Sequence, residues 1–99
     1  MTGTIIITEC EYPDGKCWEF KEKRNGQVLA EVDKKKKKDF GSGPLYFVYT
    51  CMVGFRYNLA RHSKKDSAIE FAKQSLREQF AGVDIKFEMN VMTVKYKWS

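Results

Sequence analysis

Hydrophobic and polar residues along this chain follow two periods, and the places where one gives way to the other set out the elements. Thr4 to Tyr12 is rich in isoleucine and threonine, which predicts a strand. It ends at Tyr12-Pro13-Asp14-Gly15-Lys16, where proline and glycine sit at favourable turn positions. Cys17 to Lys23 and Gln27 to Val32 then flank Asn25-Gly26, a strong hairpin signal. A two-residue loop there would place Trp18 and Phe20 on the face opposite Val28, Ala30 and Val32. A three-residue loop over Arg24, Asn25 and Gly26, with Gly26 left-handed, pairs Phe20 with Ala30 and Trp18 with Val32 and gathers the apolar side chains on one face.

Leu45 to Val53 is apolar on both alternating sets, as expected for a strand with neighbours on both sides. Gly54 marks a tight turn or bulge, and Phe55 to Arg61 alternates again. Late in the chain Val83, Ile85, Phe87, Met89 and Val91 form one apolar set, and then Met92, Val94, Tyr96 and Trp98 take over. The phase slip predicts a bulge or turn near Asn90 that divides two strands.

The helical period of 3.6 appears only from Ser63 to Phe80. Ala68, Phe71, Ala72, Ser75, Leu76 and Phe80 fall on one side, and Glu70, Lys73, Gln74 and Arg77 on the other. Ser63 with Asp66 three residues on is a capping-box-like start, and Gly82 supplies a stop. The pattern therefore predicts an α+β domain: an antiparallel β-sheet of about five to seven strands with one main amphipathic helix, 63–80, packed on one face.

Composition narrows the setting. Ninety-nine residues make a single small domain, and 42% hydrophobic with 14% aromatic residues is enough for a modest core. No apolar run reaches transmembrane length and no export pattern opens the chain, so an intracellular protein without a membrane partner is expected, cytoplasmic or, in a eukaryote, nuclear. Eighteen basic against 13 acidic residues give a net charge of +5, which favours acidic partners.

The basic residues concentrate in two places. Lys34, Lys35, Lys36, Lys37 and Lys38 are consecutive, and the loop-forming Asp39-Phe40-Gly41-Ser42-Gly43-Pro44 follows. A flexible basic loop over 34–44 is expected, acting as an electrostatic arm toward phosphates or simply as a solvated connector. Lys64 and Lys65 occupy the first turn of the helix, where each cation opposes the macrodipole by about 0.3–1 kcal/mol. An anion there would relieve the conflict, and with Arg61 and His62 just before it this helix start is a candidate phosphate site. Lys73 and Arg77 extend the basic face of the helix. Tyr46, Tyr49, Phe55 and Tyr57, close to Arg56 and Arg61, could stack on bases, although an aromatic sheet face beside a helix is commonly core.

Gly43-Pro44, the aromatic strand from Phe47, a second short strand and then Ser63-Lys64-Lys65-Asp66-Ser67-Ala68 onward, together residues 43–77, resemble the later half of a double-stranded-RNA-binding domain. In that family phosphate-contacting lysines begin the last helix, and Lys64 and Lys65 match the first two. The third lysine position is Ala68 here, the histidine after Gly-Pro is missing, and the strand-rich N-terminal third has no counterpart of the family's first helix. The resemblance implies phosphate binding to a duplex.

Chemistry beyond binding is sparse. Cys10, Cys17 and Cys51 are an odd number without a CxxC pair, so small buried hydrophobes are expected rather than disulfides. With His62 they could be written as a zinc set, but at spacings that fit no standard site, and no metal is expected. His62 is the sole histidine, and no nucleophile–base set or phosphate-cradling glycine loop is present. Two functions follow. One is a non-enzymatic nucleic-acid-binding module without cofactor, using Lys34 to Lys38, Arg61, Lys64, Lys65, Lys73 and Arg77 on duplex RNA or DNA. The other is a small protein-binding factor, an inhibitor or adaptor such as a viral or phage accessory protein, which engages an acidic protein through the same patch or through an exposed edge strand.

Overall fold

In the computed structural model, which describes residues 1–35 and 43–97, each predicted strand forms and the one predicted helix follows the fifth of them. The strands are β1 (Thr2–Tyr12), β2 (Gly15–Glu22), β3 (Val28–Lys35), β4 (Leu45–Met52), β5 (Phe55–His62), β6 (Asp84–Met89) and β7 (Val94–Lys95), and α1 spans Lys65–Gln79. They form a single sheet in the order β5-β4-β3-β2-β1-β6, with β7 also on β1. β1 to β5 are an antiparallel meander. β6 and β7 depart from the expected antiparallel sheet, since both pair parallel to β1. A parallel pair needs a crossover connection, and α1 supplies it by carrying the chain from the β5 edge to the opposite one.

The phase slip after Met89 resolves within that edge. Met89 lies opposite Ile7 and Val94 opposite Cys10, so five residue steps on the outer strand answer three on β1. The surplus is a hydrogen-bonded kink. The Asn90 N–H donates to the Ile7 carbonyl at 2.8 Å, the Thr93 hydroxyl to Glu9 Oε2 at 2.7 Å, and the Tyr96 N–H to the Glu11 carbonyl at 2.8 Å. Trp98 lies outside the described residues.

The β2–β3 hairpin pairs Phe20 with Ala30 and Trp18 with Val32, the register that puts all four on the core side. Gly26 has φ +71°. The loop itself is one residue longer than predicted, running from Lys23 to Gly26: Glu22 N–H donates to the Gln27 carbonyl at 2.9 Å and Gly26 N–H to the Glu22 carbonyl at 2.8 Å. The register near the loop is therefore offset by one. A bulge at Leu29 absorbs the offset, with Lys21 opposite Val28 and Phe20 opposite Ala30, and it buries Leu29 together with Ala30.

β3 is also longer than expected. It continues into the lysine run, with Lys34 paired to Tyr46 and Lys35 to Leu45. Backbone pairing to β4 extends the strand, while Lys34 itself stays exposed. Of the expected 34–44 loop, residues 36–42, including Lys36, Lys37 and Lys38, lie outside the described residues.

The core lies between α1 and one face of the sheet: Ile5, Ile7, Trp18, Phe20, Leu29, Ala30, Val32 and Val48 against Ala68, Ile69, Ala72 and Leu76. The helix starts two residues later than predicted. Lys64 is its N-cap, and no side chain makes a cap hydrogen bond, so Ser63 does not serve as one. The buried face of the helix is also rotated from the predicted one. Ile69 is buried, whereas Phe71 is 40% exposed, with its ring 5.4 Å from that of His62. The large side chains of this layer come from the sheet, so alanines at the centre of the contact, Ala68 and Ala72, let the helix approach, and a phenylalanine is left to the margin. Among the described residues no helix is long and apolar enough to cross a membrane.

Two outcomes test this packing. Leu76→Ala should lower the unfolding free energy by about 2–5 kcal/mol and Phe71→Ala by only about 1 kcal/mol, measured by urea denaturation. The opposite order would put Phe71 in the core. A side chain at Gly26 would meet nothing within 4 Å, so any cost there is conformational. Gly26→Val should then cost about 1–2 kcal/mol and Gly26→Asn clearly less, because asparagine tolerates the left-handed region.

Candidate functional site

With Val32 and Val48 turned toward the helix, alternation sends Glu31, Asp33, Phe47, Tyr49 and Cys51 to the other face of the sheet. No helix or strand among the described residues covers that face. Across it the register lines up Arg61, Phe47, Asp33, Cys17 and Cys10 from β5 to β1. One step along, Tyr49, Glu31, Glu19 and Thr8 form a parallel row.

The organising contact of this face is Arg56. It reaches from β5 across β4 to place Nη1 at 2.9 Å from Glu31 Oε1 and 3.0 Å from Asp33 Oδ2. In doing so it lays its guanidinium 4.2 Å from the centre of the Tyr49 ring. Lys35 Nζ sits 5.2 Å from the Phe47 ring centre, and the Arg61 guanidinium 5.3 Å from the same ring. Phe47 and Tyr49 stack with centroids 6.4 Å apart. The result is an aromatic pair on β4 flanked by three cations, Lys35 on β3 and Arg56 and Arg61 on β5, each contact of the kind worth about 0.5–1 kcal/mol at an exposed site.

Toward β2 the chemistry changes to carboxylates and thiols, around a cleft of about 440 Å³ lined by Tyr12, Cys17, Glu31, Asp33, Lys35 and Arg56. Burial, followed by the hydrogen bond and the charge of Asp33, pushes the Glu31 carboxyl up to about 8. Arg56 opposes this rise without cancelling it, since one nitrogen serves both carboxylates. Burial also pushes the thiols up, Cys10 and Cys51 to about 11 and Cys17 further, so all three are protonated at neutral pH and poor as nucleophiles or metal ligands. Cys17, Glu31 and Asp33 bring ligating atoms within 4.8 Å of one another, but the charge a cation would supply comes from Arg56. The Cys10, Cys17, Cys51 and His62 set is divided by the sheet, because His62 packs on Phe71 on the helix side.

The cations singled out in the sequence fall into separate groups. Lys35 and Arg61 meet over Phe47, with Lys34 exposed at the same end of β3. Lys65 lies 5.7 Å from the Trp18 ring on the helix side, while Lys73 and Arg77 lie 5.7 and 5.0 Å from Phe87 on the flank toward β6. Lys73 also pairs with Glu70 at 3.3 Å. Lys64 is exposed at the helix cap. Arg61 and the helix start, expected to share one phosphate, thus have their side chains on opposite faces. Phe47, Glu31 and Asp33 were not singled out. The apolar double alternation of β4 suggests burial on both faces, and Glu31 and Asp33 alternate with the apolar Ala30 and Val32 as solvent-facing positions commonly do. Tyr46 turns to Trp18 at 6.0 Å, and Phe55 and Tyr57 pair edge-to-face at the exposed end of β5.

Comparison of the chain with protein-family models, with curated proteins and with solved structures returns no match.

The Glu31 environment has a measurable consequence. An unfolded glutamate titrates near 4.5 and the folded one near 8, so the native state binds the extra proton and stability falls as pH rises through that window. Denaturation midpoints measured from about pH 5 to pH 8 should decline in the wild type and decline less in Glu31→Gln. Equal slopes would mean that Glu31 is already ionised at pH 5 in the fold.

Proposed function

We propose that this protein is a small non-enzymatic nucleic-acid-binding module whose contact surface is the β3–β5 part of the uncovered sheet face. The observation that carries the reading is the convergence of Lys35 and Arg61 on the Phe47 ring beside the Arg56–Tyr49 stack, which places positive charge and aromatic surface together. Lys35 and Arg61 serve as phosphate contacts, while Lys34, which alternation turns to the helix side with Tyr46, is peripheral. Lys64, Lys65, Lys73 and Arg77 belong to the helix side and are peripheral in this reading. A net charge of +5 adds long-range attraction to any polyanion.

A second reading, a protein-binding factor, is favoured by one observation: Phe55, Tyr57 and Leu59 at the β5 edge are 52%, 56% and 43% exposed. The two readings separate by titration. Wild type, Arg61→Glu and Lys64→Glu are measured against labelled oligonucleotides at two salt concentrations. Arg61→Glu should weaken binding by about 1–3 kcal/mol and lower the slope of log K against log salt by about 0.7–0.9, while Lys64→Glu changes binding little. Failure of the wild type to bind any oligonucleotide at low salt rejects the nucleic-acid reading and leaves the protein-binding one.

A further inference from the structure

We infer that two copies of this chain associate through the helix side of β5, with Phe55 and Tyr57 at the centre of a two-fold contact, an association independent of what the opposite face binds. Opposed residues of an antiparallel pair project to the same side of a sheet. Phe55 stands opposite Met52 and Tyr57 opposite Thr50 on β4, in step with the core residue Val48. Both rings therefore lie on the side that α1 covers, yet they remain 52% and 56% exposed. On the β6 flank of the helix, Lys73 and Arg77 lie over Phe87. On the β5 flank no cation lies over Phe55 or Tyr57, and among the described residues their only ring contact is with each other, edge-to-face with centroids 5.1 Å apart.

Charge selects the occupant. The two arginines of β5 turn away to the opposite face, Arg56 to Tyr49 and Arg61 to Phe47, and leave Phe55 and Tyr57 without a charge between them. Phe71 on the same flank of α1 has the uncharged Ser67 and Gln74 as its exposed neighbours one turn away. An acidic protein or a polyanion is recognised by cations, which this patch does not offer. A second copy also carries a net charge of +5, so it can come close only where neither surface presents a cation, and in a two-fold contact it brings the same neutral apolar patch. At about 200 Å² per ring, the open parts of Phe55, Tyr57 and Phe71 amount to about 300 Å², and Met52 and Val53, 53% and 87% exposed, enlarge the patch. A standard dimer takes about 800 Å² from each copy, so the patch supplies the apolar centre and polar residues around it the rim. The contact is face to face rather than strand to strand, because the bulge at Leu59 interrupts the β5 edge. It leaves the uncovered face of each copy free.

The test is sedimentation equilibrium of nuclease-treated protein over a dilution series at low and at high salt. The wild type should pass from monomer to dimer with a dissociation constant of about 1–100 μM, and high salt should leave the dimer intact, since it screens the repulsion of like charges without weakening an apolar contact. Tyr57→Asp should raise the dissociation constant about 100-fold, roughly tenfold for each symmetry-related copy. Val91→Asp, at a position 97% exposed at the far edge, should leave it unchanged. A wild type that stays monomeric throughout overturns the inference and leaves the patch to a partner of different sequence. Dissociation at high salt, species larger than a dimer, or a folded Tyr57→Asp that dimerises like the wild type overturns it as well. The urea midpoint of Tyr57→Asp reports its folding. If that variant does not fold, nuclear magnetic resonance of the wild type decides: on dilution the signals of Phe55 and Tyr57 should move and that of Val91 should not, and the reverse overturns the inference. None of these outcomes bears on the nucleic-acid reading of the opposite face.

Discussion

Everything in this molecule depends on one helix covering one side of a sheet too wide for it. Strands lie about 4.8 Å apart, so the six strand positions from β5 to β6 span about 24 Å, while an α-helix with side chains is about 10 Å across. Ala68, Ile69, Ala72 and Leu76 can therefore seal only the middle of the face, over Phe20, Val32 and Val48. The margins are left to side chains that are half greasy and half charged. Lys73 and Arg77 lie across Phe87 on one flank and Phe71 rests on His62 on the other, each covering apolar surface while its polar end or edge stays wet.

The opposite face has to be stable without a layer above it. It achieves this by making its side chains satisfy each other within the plane. Arg56 bridges Glu31 and Asp33, Cys10 donates its thiol to Glu19 at 3.2 Å, and cations lie over Phe47 and Tyr49. These contacts leave an Asp33 Oδ1 that is buried without a hydrogen-bond partner and a Glu31 carboxyl that burial pushes above its ordinary range. Both lie within reach of the aromatic pair. The strength of this surface is local charge arrangement rather than net charge, with cations toward β5 and carboxylates toward β2.

The two edges of the sheet are blunted in different ways. On β5 a bulge at Leu59 interrupts the pairing with β4, and the Asn58 side chain fills the irregularity by donating to two backbone carbonyls. A bulge with arginines near both ends of the strand discourages another strand from adding on. On the far side the Asn90–Thr93 kink divides the outer strand into β6 and β7, so no long flat edge is offered there. Tyr96 stacks on Tyr12 at 4.8 Å and closes that end of the sheet.

By itself the sequence determined the elements and much of their pairing, because these rest on local rules. Alternation predicted each strand, the 3.6 period identified the one helix, and the requirement that Trp18, Phe20, Ala30 and Val32 share a face was enough to set the β2–β3 register despite the wrong loop length. The tertiary structure decided what local rules do not reach. The parallel direction of β6 depends on where the crossover lands, and the choice of Ile69 over Phe71 depends on the roll of the helix against side chains far away in the chain. The same holds for the site. Lysine runs and a basic helix start are visible as composition, yet a sheet separates the Arg61 side chain from Lys65, and the cations that meet aromatic rings on one face were spread over β3 and β5. Glu31, Asp33 and Arg56 are 25 residues apart or fewer in sequence; only the pairing of three strands brings the Arg56 guanidinium within 3.0 Å of both carboxyl groups, where attraction and burial act together.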